Sequence, residues 1–141
     1  MGMLRDQDIT EIRARLEAMV SPAKLVHFTQ ELNVEFGRET RELIKELAGL
    51  SDKLSVEVYD FLLDKEPAAE YQVDKAPATV VRNGKDYGIR FYGFPAGYEF
   101  SVLLDAILAV SQGDSGLQPE TREKLAKLAQ PVHLEVLVTP T

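Results

Sequence analysis

At 141 residues, 45% of them hydrophobic and 28% charged, the chain is long enough to bury a core of its own without disulfide or metal staples. Sixteen Lys and Arg against twenty-three Asp and Glu leave a net charge of −7, which repels phosphate backbones and excludes nucleic acid as an expected partner. With no cysteine there is no disulfide, no thiolate nucleophile and no Cys-ligated zinc, and only His27 and His133, both in segments that read as strands, offer an imidazole. No apolar run approaches the length of a membrane span, and residues 1–10 lack the apolar stretch of a secretory signal, so the expected setting is the cytoplasm.

Ile9, Ile12, Leu16, Met19 and Val20 recur at helical spacing, predicting a helix over 8–20, capped by Asp6 or Asp8 and stopped by Pro22. Residues 24–29 read as a short buried strand and 30–37 as a polar loop. Over 38–50 the residues Leu43, Ile44, Leu47 and Leu50 form one face of an amphipathic helix whose other face mixes Glu with Arg and Lys. Apolar and polar residues alternate over 54–61, as in a half-buried strand. A short helix with Pro67 at its start follows. Residues 79–82 and 87–91 then read as a hairpin turned by Asn83-Gly84, and a last apolar helix runs from Gly97 to Val110. The order is β-α-β-α-β-β-α behind an extra N-terminal helix, an α/β chain with a central mixed sheet.

Residues 111–116, rich in Ser, Gly and Asp, mark a boundary. Beyond it Glu120, Arg122, Leu125, Pro131 and Leu134 repeat the spacing of Glu11, Arg13, Leu16, Pro22 and Leu25. Helix, proline and strand therefore recur in the same order, although such joints also arise without repetition. The expected domains are a unit over 1–113 and, over 114–141, a linker with the first helix and first strand of an incomplete second unit.

That element order is the order of the thioredoxin fold, and the chain resembles the glutaredoxin-like protein disulfide oxidoreductases, which carry two such units in tandem. It resembles more distantly the N-terminal region of the flavoprotein subunit of alkyl hydroperoxide reductase. The resemblance rests on residues 47–54 (LAGLSDKL), 74–78 (DKAPA), 84–88 (GKDYG), 90–100 (RFYGFPAGYEF) and the tail 137–141 (LVTPT). It implies a Cys-x-x-Cys between the first core strand and its helix, where a thiolate is stabilised by the helix N-terminus. The corresponding residues are Val34, Glu35, Phe36 and Gly37. No sulfur stands there, so no mixed disulfide can form in this unit. The resemblance also implies a cis Ala76–Pro77 bond facing that loop, beside which an extended peptide could pair; the residues alone fit equally a trans proline opening the strand at Thr79.

The implied role is a non-catalytic N-terminal unit of a disulfide oxidoreductase active in thiol–disulfide exchange and redox homeostasis. It would dock a substrate protein, a partner reductase or the redox-active C-terminal unit of the parent protein. The alternative is a free-standing module that binds peptides in the former active-site groove. Neither reading calls for a cofactor or a metal. The aromatic run from Tyr87 to Phe100 is expected to pack in the core, and His27 to be satisfied or on the surface. Val132, Leu134, Val136 and Val138 form one apolar strand face that needs covering, predicting a homodimer through 132–138 or a tail docked on its own sheet.

Overall fold

The computed structural model describes residues 2–139. In chain order they form α1 (Asp6–Leu16), β1 (Ala23–Thr29), α2 (Gly37–Ala48), β2 (Leu54–Asp60), α3 (Lys65–Glu70), β3 (Ala78–Arg82), β4 (Asp86–Tyr92), α4 (Tyr98–Gln112) and α5 (Pro119–Ala126). The expected β-α-β-α-β-β-α core is present. Its sheet has the order β2-β1-β3-β4, with β1 parallel to β2 and antiparallel to β3, and β4 antiparallel to β3. A parallel pair needs a crossover, and α2 supplies it. β1 lies inside the sheet and is buried on both faces, which is why its sequence is a near-continuous apolar run, whereas β2 at an edge alternates.

Burial sorts the side chains onto two faces. Ala23, Leu25 and Val81 join Ile12 and Leu16 of α1, Ile44 and Leu47 of α2, and Leu103 and Ile107 of α4 in the larger core. Val26, Phe28, Ala78 and Val80 point the other way, toward Ala68 of α3 and the adjoining Tyr71 and Val73. There the Phe28 ring stands 5.5 Å from Tyr59 and 6.0 Å from Tyr71.

Arg90 of β4 fastens the rim of that second core. Its Nε and Nη2 donate to the Tyr71 carbonyl at 3.1 and 2.9 Å, and its Nη1 and Nη2 hold the Asp86 carboxylate at 2.9 and 2.7 Å. Chiefly through the hydrogen bonds from Arg90, the Asp86 carboxyl is held down at about 2. A lysine cannot reproduce this planar fork. Arg90→Lys is therefore expected to reduce stability by about 1 kcal/mol, read as a lower urea midpoint with unchanged slope.

Several local expectations are corrected. α1 ends at Leu16, well before Pro22: the N–H groups of Ala18 and Met19 turn to carbonyls three residues back, the Lys53 ammonium takes the Met19 carbonyl at 3.0 Å, and Val20 is exposed. Asp6 and Asp8 sit in the first turn without capping it; Arg5 is the N-cap and its guanidinium binds Asp8 at 2.9 Å. Pro67 is the third residue of α3, a position whose N–H would lack a helical partner in any case. The hairpin loop has three residues, Asn83, Gly84 and Lys85, because the Asn83 side-chain oxygen accepts the Lys85 N–H at 2.7 Å and closes a local turn. The positive φ lies at Gly88, inside β4.

The largest departure is the C-terminal segment. α5 carries Glu120, Arg122 and Leu125 in a helix, as α1 carries Glu11, Arg13 and Leu16, but it buries no side chain. Residues 131–139 form no strand, and His133 is exposed with its Nε2 2.9 Å from Glu135. A strand must take its hydrogen bonds from a neighbour, and neither edge of this chain's sheet receives it. The tail-docked monomer is thus not the form observed. Pro140 and Thr141, part of the family-like tail, lie outside the described residues. Among the described residues no helix is long and apolar enough to cross a membrane.

Candidate functional site

The parallel strands β1 and β2 end together at Thr29 and Asp60, and the ladder closes with the Phe61 N–H donating to the Thr29 carbonyl at 2.9 Å. The antiparallel register sets Ala78 opposite both Phe28 and Tyr92, so Pro77 and Gly93 fall at this same end of the sheet. The Ala76–Pro77 bond is cis, and the Pro77 carbonyl accepts the Gly93 N–H at 2.9 Å. One residue on, the Phe94 ring lies 5.9 Å from that of Phe36, tilted by 49°. Through Phe36 and Phe94 the structure thus joins the segment of Val34, Glu35, Phe36 and Gly37 to the Ala76–Pro77 turn.

This loop differs from a Cys-x-x-Cys turn in backbone as well as in side chain. Asn33 and Phe36 both occupy the left-handed region, at φ +60° and +58°, unusual for a residue as bulky as Phe. Phe36 is the N-cap of α2, has no side-chain capping bond, and leaves its ring half exposed. Its carbonyl accepts both the N–H and the hydroxyl of Thr40, at 2.9 and 2.5 Å. Gly37 is buried, and a Cβ built on it would overlap the Gln30 carbonyl oxygen and stand 3.0 Å from its carbon. A side chain at the second cysteine position therefore has no room while the loop keeps this path. Val34 is half-buried and Glu35 exposed.

Below the loop lies a buried polar group that the sequence did not reveal. His27 and Thr79 are paired across β1 and β3 on the helix-rich face, and the His27 Nδ1 is 2.9 Å from the Thr79 hydroxyl. His27 is wholly buried and its Nε2 has no protein partner, contrary to the expected satisfied or surface histidine. Burial, with Arg41 nearby as the lesser cause, pushes its pKa down to about 4. Alternation with Val26 and Phe28 was the only signal available in the sequence, and it did not say that helices would cover this face.

The rim of the site is apolar. Asp60 Oδ1 accepts the N–H groups of Leu62 and Leu63 at 2.9 and 3.0 Å, in a turn that leaves both leucines outside. Leu62 shares a cleft of about 360 Å³ with Leu32, Thr29 and Arg41. Arg41 is engaged with Glu31 and Glu42. Of the aromatic run, Phe91, Tyr92 and Phe100 pack against the cores as expected, but Tyr87 and Tyr98 are exposed and Phe94 serves the site. The roles of Leu32, Leu62, Leu63 and Phe94 were not foreseen, because nothing local distinguishes an exposed leucine from a core one. Among the described residues no cluster of His, Asp and Glu could hold a metal ion.

The chain is 30% identical over 100 residues to an NADH dehydrogenase of Bacillus subtilis (strain 168), a match covering 70% of this chain and 17% of that protein. It is 29% identical over 116 residues to the F subunit of alkyl hydroperoxide reductase from Pseudomonas aeruginosa, covering 82% of this chain and 20% of the relative. Among solved structures it superposes on a protein disulfide oxidoreductase from Aeropyrum pernix K1 with a TM-score of 0.78 and 27% identity, over 88% of this chain and 55% of the other. The chain thus spans about a fifth of these curated relatives and about half of the solved protein. No protein-family model matches it. Its fold is thioredoxin-like.

Proposed function

We propose that this chain, a thioredoxin-fold relative of protein disulfide oxidoreductases and of the alkyl hydroperoxide reductase F subunit, is a redox-silent unit that docks protein segments for a disulfide oxidoreductase. The observation that carries the reading is Gly37, where the Gln30 carbonyl fills the space a cysteine side chain would need, beside a Val34 that offers no thiol. Thiol–disulfide exchange needs an attacking thiolate, and this chain has none. What survives at this end is recognition apparatus: the Pro77 turn, the Phe36–Phe94 pair and the exposed leucines. Residues 1–113 act as this unit, and 114–141 begin a second. Its partners are a redox-active unit of the same architecture and the protein that unit reduces, in the cytoplasm.

The insulin-reduction assay tests the silence. With dithiothreitol as reductant, the chain is expected to leave the rate at its uncatalysed value; turnover above that rate overturns the assignment.

The exposed apolar rim favours a second reading, a free-standing module for extended peptides. Titration of the isotope-labelled chain with mixed extended peptides is expected to shift resonances of residues 34–37 and 76–77. Unchanged resonances there remove this reading.

A further inference from the structure

One chain carries both an exposed apolar end and a strand-like segment that belongs to no sheet. At the Pro77 end Leu32, Phe36, Leu62, Leu63 and Tyr98 are each more than half exposed. Val132, Leu134, Val136, Leu137 and Val138 of the tail are exposed to at least 63%. Two apolar surfaces of this kind are uncommon on a monomer. At the first of them Phe36 holds a strained left-handed backbone that keeps its ring outside, and such strain concentrates where a ligand is gripped.

We propose that the ligand of the Pro77 groove is the segment 132–138 of a second copy of this chain, two copies exchanging tails. The proposal rests on the reading of this end as a groove for extended segments. Charge favours the tail over other faces: two chains of net charge −7 repel, but 132–138 carries one carboxylate, Glu135, already facing His133. Reach favours a second copy, because the linker leaves from the far end of α4, whose fifteen residues span about 22 Å away from the groove, and the tail has not folded back. Size is adequate. A seven-residue strand is about 23 Å long, and two of them laid in two grooves bury on the order of 1,000 Å², the threshold of a specific interface. Reciprocal exchange closes as a twofold pair and leaves neither tail free.

The absence of native cysteine permits a direct test on the full chain. Gln130→Cys carries a single nitroxide label, and the labelled chain is mixed with an isotope-labelled, unmodified chain. The expected result is line broadening at residues 33–37, 76 and 94 of the unmodified copy, growing with concentration, together with a doubled mass by light scattering. Leu134→Asp, a change on an exposed tail, is expected to weaken self-association at least tenfold and leave the remaining spectrum intact. A synthetic peptide of residues 130–139 should then shift the same groove resonances in the Leu134→Asp chain. Broadening confined to the labelled copy's own groove, independent of concentration, overturns the exchange in favour of the chain's own tail. A monomeric mass at every concentration, or broadening elsewhere, also overturns it. Unrelated apolar peptides that shift the groove when the 130–139 peptide does not overturn this inference alone. If no peptide shifts it, the groove reading falls as well.

Discussion

Replacing Gly37 by alanine is expected to destabilise the fold by about 2–3 kcal/mol, a large effect for the addition of one methyl group. The added Cβ would meet backbone, the carbonyl of Gln30, and backbone cannot rotate away as the tip of a long side chain does. Relief requires moving the 30–36 loop, whose Phe36 carbonyl is held by Thr40 and whose Glu31 is held by Arg41. Gly84→Ala is the control: nothing lies within 4 Å of its added Cβ, and its stability should stay within about 0.5 kcal/mol of the original. Urea unfolding of both variants reads the difference, and equal midpoints would refute the steric account. The consequence for function follows directly. Installing both missing thiols, as Val34→Cys with Gly37→Cys, is expected to give a destabilised chain that does not accelerate insulin reduction, because the second thiol cannot enter without rebuilding the loop.

The second large effect concerns pH. His27 is neutral in the fold, with a pKa pushed down to about 4 against an ordinary 6.5, so the unfolded chain binds its proton more tightly than the folded one. This contribution to stability is complete above about pH 6.5 and is lost as pH falls toward 4, amounting to about 3 kcal/mol over that window. Asp86 is displaced in the same direction from a carboxylate's value, to about 2, so its contribution is lost below about pH 3.8, beneath the histidine's window. Urea midpoints at pH 7, 5.5 and 4.5 should fall steadily for the original chain. His27→Gln keeps a polar partner for Thr79 but does not titrate, and its midpoints should be nearly flat over the same range. Equal slopes for the two proteins would show that some other group carries the dependence.

Some of this architecture was legible in the amino-acid sequence. Leu43, Ile44 and Leu47 announced α2 because their spacing matches the helical period, and the alternation from Leu54 announced an edge strand because only one face of β2 is covered. Boundaries were less legible. The end of α1 depends on Lys53, more than thirty residues away in sequence, and the hairpin depends on where the Asn83 side chain turns. The tail shows the limit most plainly: Val132 to Val138 have the period of a strand, yet no strand forms, because a strand exists only where another offers its backbone.

For the candidate site the division is equally physical. By itself the sequence determined the chemistry the chain lacks, since a chain without cysteine has no thiolate in any conformation, and it determined the order of elements that brings Val34–Gly37 and Pro77 into one architecture. Only the tertiary structure decided that the Gln30 carbonyl stands where a side chain of residue 37 would go, that Phe36 meets Phe94, and that His27 is sealed beneath them. These are contacts between segments distant in sequence or set by the path of a loop. Local periodicity records which face of an element is apolar but not what the fold brings against it.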